Sequence, residues 1–521
     1  MSWPDTAEGK LVNPRYGAVA LMLWLGALQA PAAELLVPAP YPTIQDAIDA
    51  AQPDYTVVVS PGTYREQILF GGKRITVRST DPTDPLTVAA TVINADLDND
   101  PNTHEGVAVR FDGSEGPQTV LSGFTITGAA HDGDGGGIFA TFGSPTISYC
   151  DLIDNWCRDI GGGIVYQNGN IEYCRAIGNV ARGGGGLGYC SGAITGCLID
   201  DNHTQSNGGG LVGCYGPITD CIVQNNSTQR SGGGMYLCTD AITGCVIVGN
   251  QAQSAGGMAV CNGSISNCIV SGNVADEYGG GIRSCSAPIS NCLISHNTAG
   301  IAGGGLARCR TVVRNCTIAT NHALLGGGYY MGIADTGSLV NSILWGNTAA
   351  TGAAIALESN AYVDVAYCDV QGGQADVYYP DPNSTLVWGA GNVAVDPRFV
   401  DPDGPDNDPN TWQDNNYHLA ARSPCINTGD PTLTADPNDV DIDDQPRVLY
   451  LRVDMGCDEV SPIQADLDTD GDVDLLDAAA VLDAMAGPDQ PLPDPATDLD
   501  GDGDTDLHDA AILFRLFTGE L

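Results

Sequence analysis

From Gly135 to about Gly373 the chain repeats a unit of about 24 residues, and this repeat constrains the fold more than any other feature. Each unit reads alike: a glycine cluster, an aliphatic residue, a short β-branched run, a cysteine, then an asparagine. GGGLVGCYGPITDCIVQNN from Gly208, GGGMYLCTDAITGCVIVGN from Gly232 and GGGIRSCSAPISNCLISHN from Gly279 show it. The residue after the glycines falls at Ile138, Ile164, Leu187, Leu211, Met235, Met258, Ile282, Leu306, Tyr329 and Ile355. A fixed period of this size signals a solenoid. Glycine triplets would cost about 1 kcal/mol per glycine in a helix, whereas short, turn-bounded apolar runs suit strands. Stacked at ~4.8 Å, ten rungs make a rod section of about 50 Å.

The cysteines set the register. One column holds Cys150, Cys174, Cys197, Cys221, Cys245, Cys268, Cys292 and Cys316, with Ser342 in the next place; a second runs through Cys190, Cys214, Cys238, Cys261, Cys285 and Cys309. Two residues beyond the first column stands an aliphatic column, so both occupy one strand face, the inner one. Five residues beyond it runs Asn155, Asn179, Asn202, Asn226, Asn250, Asn273, Asn297, Asn321 and Asn347. Buried thiols behave as small hydrophobes, and paired C-x2-C metal spacings are absent. The asparagines read as a ladder at a tight turn, in the left-handed conformation that asparagine tolerates, each amide bonding the next. Both columns are architecture.

The formal net charge of −44 excludes nucleic-acid or anionic-membrane binding through basic patches. Residues 1–33 read as a signal peptide. Lys10 and Arg15 precede the apolar run Gly17 to Leu28, which is too short to span a membrane, and Ala30-Pro31-Ala32 offers a cleavage site. No later stretch is a membrane span. The expected product is secreted, extracellular or attached to a cell surface.

Residues 34–134 are expected to cap the solenoid and form its first rungs. Thr43 N-caps a helix whose apolar face is Ile44, Ala47, Ile48 and Ala51. The segments YPTIQDAIDAA, VVVSPGTYRE and KRITVRS resemble the opening of the pectin-lyase-like right-handed parallel β-helix superfamily, a likeness covering about 35–370. It implies an all-β, right-handed parallel β-helix. That superfamily includes polysaccharide lyases, glycosidases and non-enzymatic surface proteins. The repeats also resemble those of bacterial polymorphic outer-membrane proteins and adhesins. Residues 81–135 read as a long connection, with Asp96, Asp98 and Asp100 as an alternative calcium loop.

No catalytic motif is recognisable, and the pectinesterase and pectate lyase motifs are missing. Solvated turn residues are the plain reading of the charged positions. The one cluster to nominate is Asp154, Arg158, Arg182, Asp201 and His203, on neighbouring turns. Arginine pairs bidentately with a uronate carboxylate, and histidine exchanges protons near neutral pH.

Residues 135–373 hold the repeats, and 374–462 read as closure and linker. DPRFVDPDG, NYHLAARSPCINTGD and DMGCDE resemble the closure of secreted bacterial β-helix proteins with exchangeable surface anchors. Asp401, Asp403, Asp406 and Asp408 are candidate cation ligands. Cys425 and Cys457 are a candidate disulfide, the alternative being an extension of the thiol stack.

Residues 463–521 change character. Asp466, Asp468, Asp470, Asp474 and Asp477 stand at places 1, 3, 5, 9 and 12 of an oxygen-rich loop, with Gly471 at place 6 and the Asp472 carbonyl at 7. Asp498, Asp500, Asp502, Asp504, Asp506 and Asp509 repeat the pattern around Gly503, and each loop precedes a helical stretch. The pair reads as two Ca2+ sites. It resembles a type I dockerin, which implies docking to a cohesin-like domain or cell-surface scaffold. It departs from that pattern in having Asp where dockerins often have Asn. The leading reading is a secreted modular β-helix that presents a carbohydrate-facing surface and is tethered through the dockerin-like module. The alternatives are a polysaccharide lyase or glycoside hydrolase acting on an acidic polysaccharide, and a structural adhesin.

Overall fold

The structure, a computed structural model, describes residues 33–98, 106–141, 143–408, 413–433, 439–448 and 452–460. Residues 1–32 of the leader, Asp100 and both acidic twelve-residue loops lie outside these. The repeats wind into a parallel β-helix. A full rung contributes one strand to each of four sheets, numbered here I to IV in the order the chain visits them, and the end rungs lack some of these. Sheet I has 15 strands, sheet II 13, sheet III 10 and sheet IV 12, and every pairing within them is parallel. In one rung these strands are Ile171–Glu172, Arg175–Ile177, Val180–Ala181 and Leu187–Gly188. Among the described residues no helix is long and apolar enough to cross a membrane.

The expected columns are inside. All the column cysteines and all nine asparagines are buried. The Asn155 amide nitrogen Nδ2 donates to Asn179 Oδ1 (3.2 Å) and to Ile126 O (2.9 Å), and its backbone N donates to the same Asn179 Oδ1 (3.1 Å). The pattern continues rung by rung to Asn321 and Asn347. The conformational expectation is displaced by one position. The left-handed residue at the II–III corner precedes the asparagine: Asp154 (φ 54°), Gly178 (66°), Asp201 (52°) and Asn225 (55°). The turn needs one left-handed residue, and it falls on the neighbour so that the asparagine can point inward. In the first thiol column the backbone N of Cys174 donates to Cys197 Sγ (3.4 Å), and Ser342 replaces a thiol by accepting from Cys316 N (3.2 Å). The glycine clusters allow close stacking: a Cβ on Gly209 would lie 2.3 Å from the Gly233 carbonyl.

At the N-terminus α1 (Ile44–Ala50) forms where expected. Thr43 accepts from Asp46 N (3.0 Å), and Ile44, Ala47 and Ile48 are buried. Residues 81–135 are not a long connection. They contain α2 (Pro85–Ala90) and strands of all four sheets, from Thr91–Asn94 to Ala130–His131. These rungs escape the repeat signature because Ile93, Phe111, Phe124 and Ile126 fill the interior in place of thiols and asparagines. Asp96 belongs to a surface contact with Arg65 (3.8 Å).

The segment after the last rungs folds back as a strap along the outer side of sheet II. Strands Phe399–Asp401 and Asn416–Leu419 pair antiparallel. Asn267 Nδ2 donates to Val440 O (3.2 Å), Asn291 Nδ2 to Asp439 Oδ1 (2.9 Å), and Cys457 N to Thr317 Oγ1 (3.2 Å). Cys425 and Cys457 are both free thiols, neither bridged nor part of the stack. Cys425 Sγ donates to Asp369 Oδ2 (3.4 Å) and Cys457 Sγ to Thr317 Oγ1 (3.4 Å), because the strap lies outside the barrel. Asp401, Asp403, Asp406 and Asp408 do not converge. Among the described residues the one grouping of three close ligand atoms is His418, Asp443 and Asp458, where His418 Nε2 pairs with Asp443 Oδ2 (2.7 Å).

The strap buries charge. Arg447 is 1% exposed and donates to Asp454 O (3.2 Å), and it faces Glu459 Oε1 at 3.6 Å. Burial pushes the Glu459 carboxyl up to about 8 and those of Asp454 and Asp369 to about 6, beyond the partial offset from Arg447 at the first two.

Two outcomes are expected. Val223 is fully buried, so Val223→Asp should cost at least ~3 kcal/mol in denaturant unfolding, because an unpaired carboxylate enters the core. The raised carboxyls bind more protons folded than unfolded, so their contribution is intact at low pH and is lost as pH rises from about 4 to about 8. Thermal melts should fall across that window, and Glu459→Gln should flatten the slope.

Candidate functional site

Because the interior is filled by repeated small residues, distinct chemistry is confined to outward-facing positions and corners. A cleft of about 390 Å³ lies on the outer side of sheet IV in the first glycine-rich rungs. The III–IV corner contributes Asp134, Asp159, Ile160, Arg182 and Asn207; Val212 and Tyr236 form the floor, and Tyr189 the far wall. Val212 and Tyr236 are register partners in adjacent strands, which puts both side chains on the outer face.

The far wall is an aromatic ladder. Tyr166 and Tyr189 occupy the IV–I corner in the left-handed conformation (φ 55° and 51°). Their rings stack at 5.9 Å and 15°, and Tyr189 stacks on Tyr215 at 6.3 Å and 29°. Phe139 meets Tyr166 edge-on at 5.9 Å, with the Arg110 guanidinium 5.1 Å from the Phe139 centroid. Gly213 makes room: a Cβ there would sit 2.6 Å from the Tyr189 ring. The Tyr166 hydroxyl donates to Asp134 Oδ2 (3.0 Å), and burial, then this bond, pushes its pKa up to about 12. Tyr166 therefore remains a neutral donor at physiological pH.

Of the five nominated residues, Arg182 enters this cleft. Its backbone N donates to Asp159 O (3.0 Å), and its guanidinium has no ion-pair partner among the described residues. Arg158 starts from an equivalent register, since Trp156 pairs with Val180. The chain from Trp156 to Gly161 is one residue longer than from Val180 to Gly184, so Ile160 pairs with Gly183 and Arg158 is set apart. Asp154 and Asp201 are exposed left-handed corner residues. His203 Nε2 lies 3.1 Å from Asp201 Oδ1, and its Nδ1 is 2.7 Å from Ser227 Oγ. These three groups sit on open surface, and His322 meets Thr348 Oγ1 (2.9 Å) in the same next-rung manner, so stacking alone accounts for the contact.

The aromatic ladder was the signal that sequence reading passed over. Tyr166 and Tyr189 stand directly before the second thiol column and its predecessor Gln167, but Tyr215 is offset by two residues. A second pair, Tyr149 on Tyr173 (5.2 Å, 14°), lines a smaller cleft of about 140 Å³ at the I–II corner. There Arg175 pairs with Asp151 (3.2 Å), whose carboxyl burial pushes up.

Gly213→Ala combines an unfavourable φ of +60° with displacement of the Tyr189 ring. It should cost about 1–3 kcal/mol in unfolding experiments and should perturb the near-UV tyrosine signal.

No curated protein matches the chain. Among solved structures, the chain is similar to the PL6 family alginate lyase AlyGC (TM-score 0.35, 13% identity), over 70% of this chain and 54% of that one. It thus spans about half the length of that enzyme. It is similar to pectate lyase Pel9A (TM-score 0.31, 13% identity) over 80% of this chain and 91% of that one. It is also similar to the catalytic unit of a thermostable GH87 alpha-1,3-glucanase from Streptomyces thermodiastaticus strain HF3-3 (TM-score 0.30, 14% identity), over 68% and 65%. Residues 464–517 match the family described as Dockerin type I domain, and the chain is thus a parallel β-helix carrying a C-terminal dockerin.

Proposed function

We propose that the β-helix presents a polysaccharide-binding face on sheet IV and that the dockerin tethers it to a cohesin-bearing scaffold outside the cell. The observation that carries the glycan reading is the Tyr166–Tyr189–Tyr215 ladder beside a cleft with an unpaired arginine. Aromatic faces offer large, rigid apolar area with a polar edge, and a linear polymer running along the rod meets one ring per rung. Arg182 supplies the charged donor. Arg158 and His203 lie outside the cleft lining.

Type I dockerin domains bind calcium and dock to cohesins, and dockerin-bearing proteins are typically extracellular. The donor set here fits the ion. Each loop brings oxygen ligands at places 1, 3, 5, 9 and 12 around a glycine at 6. Asp466, Asp468, Asp470, Asp474 and Asp477 would hold one Ca2+, with the Asp472 carbonyl at place 7. Asp498, Asp500, Asp502, Asp506 and Asp509 would hold the other, with the Asp504 carbonyl. The ion offsets the mutual repulsion of the carboxylates and so contributes directly to folding of the module.

Binding of the full chain to a panel of soluble polysaccharides, with released reducing or unsaturated ends measured in parallel, tests the face. Tyr189→Ala and Arg182→Ala should each weaken glycan binding roughly tenfold, about 1.4 kcal/mol, while Arg158→Ala and His203→Ala should cost little. Unchanged affinity in the first two would remove this face from consideration. Calorimetric calcium titration of the full chain should show two sites. Asp466→Ala combined with Asp470→Ala should abolish one of them and weaken cohesin docking, leaving β-helix unfolding unaltered.

A further inference from the structure

A second cleft, about 290 Å³, lies further along the same IV–I corner and begins two corner positions beyond Leu237 of the first. Its lining is Ser284, Cys285, Ser286, Arg308 and Arg310, with no carboxylate. Such a lining is unusual in a chain with 20 bases and a net charge of −44. We propose that this cleft is an oxyanion site that takes the sulfate ester or carboxylate of a sugar residue in an anionic glycan.

The two arginines are held in place from behind. Asp335 is fully buried and accepts from Gly332 N at Oδ2 (2.7 Å) and from Arg310 Nε at Oδ1 (2.5 Å); Arg308 Nε lies 3.7 Å from Oδ2. Both guanidiniums are thus engaged through their Nε edges. Their terminal Nη groups have no hydrogen-bond partner among the described residues. Paired Nη groups on a planar guanidinium match the spacing of carboxylate or sulfate oxygens.

Three further observations make this a built site. Arg308 occupies the left-handed corner position (φ 55°), a conformation unfavourable to a non-glycine residue. Gly332 leaves space for its side chain, since a Cβ there would be 2.3 Å from Arg308 Nε. Arg283 adds a third cation on the neighbouring strand, 5.7 Å from the Tyr278 ring centroid, and burial, then Arg308, lowers its pKa. Among the nearby carboxylates, Glu277 is engaged by Gln253 Nε2, which donates to it (3.2 Å). The Ser284 hydroxyl adds a donor. The volume exceeds that of a small free anion and suits a substituted sugar ring.

The site stands on this geometry. Its participation in one continuous glycan track rests on the polysaccharide reading above. Tyr189 and Arg308 are five corner positions apart, or ~24 Å at ~4.8 Å per rung, a span that one linear chain covers.

The test is titration of the calcium-loaded full chain with a polyuronate, a sulfated galactan and a neutral glucan of similar length. At least one anionic polymer should bind, with affinity that falls as salt rises. Whichever it is, polyuronate or sulfated galactan, identifies the oxyanion. Arg308→Gln combined with Arg310→Gln should weaken anionic binding at least tenfold and leave neutral-glucan binding unchanged. Arg310→Lys keeps a cation beside Asp335 and should weaken binding less, which separates loss of the site from loss of folding. Retained anionic affinity in the double variant, or no anionic binding by the parent, overturns the proposal. Loss of affinity in Tyr189→Ala with the arginine variants unaffected would support the aromatic face and overturn the oxyanion site. The converse would support the oxyanion site and overturn the aromatic face.

Discussion

The structure depends on a closed hydrogen-bond ladder at one buried corner. Each column asparagine from Asn155 to Asn321 donates from Nδ2 both to the next rung's Oδ1 and to a carbonyl of the preceding rung, while its own Oδ1 accepts from the rung before; Asn347 ends the ladder with the carbonyl bond alone. Every polar atom of a buried amide is thereby satisfied, which is the condition for keeping it inside. A single rung has no such closure. The ladder makes register obligatory, because a slip of one residue would leave an amide unpaired at every rung.

The thiol columns do complementary work. They are small, apolar and identical from rung to rung, so they fill a narrow interior without competing for the ladder's donors. Where a serine enters, at Ser342, its hydroxyl finds backbone partners on both sides. In the first rungs Phe70 and Phe111 instead pack at 4.4 Å, and the repeat signature disappears although the coil continues.

A fixed interior moves variation to the corners, and there the chain places its distinctive chemistry. The IV–I corner requires a left-handed residue. Tyr166, Tyr189 and Arg308 accept that conformation where glycine would be easier. Leu237, Val260 and Ser284 do the same at the rungs between, so the conformation belongs to the corner and the side chains differ. Here it aligns an aromatic ladder and an arginine pair along one edge. Among the described residues the strap runs along the outer side of sheet II and not along sheet IV, where the first cleft lies.

The sequence by itself determined the coil, its period, the inward columns, the N-terminal helix with its Thr43 cap, and the paired acidic loops. Each of these is a local rule repeated at fixed spacing, or a motif whose ligands are adjacent in sequence. The tertiary structure alone decided which corner residues meet. One extra residue between Trp156 and Gly161 separates Arg158 from Arg182, and the offset of Tyr215 still completes the stack on Tyr189. It also decided the path of the strap, which keeps Cys425 and Cys457 apart, and the convergence of Arg308 and Arg310 on Asp335. Such contacts join residues a rung or more apart, through bulges and fold-backs that break the period. Spacing along the chain therefore carries no record of them.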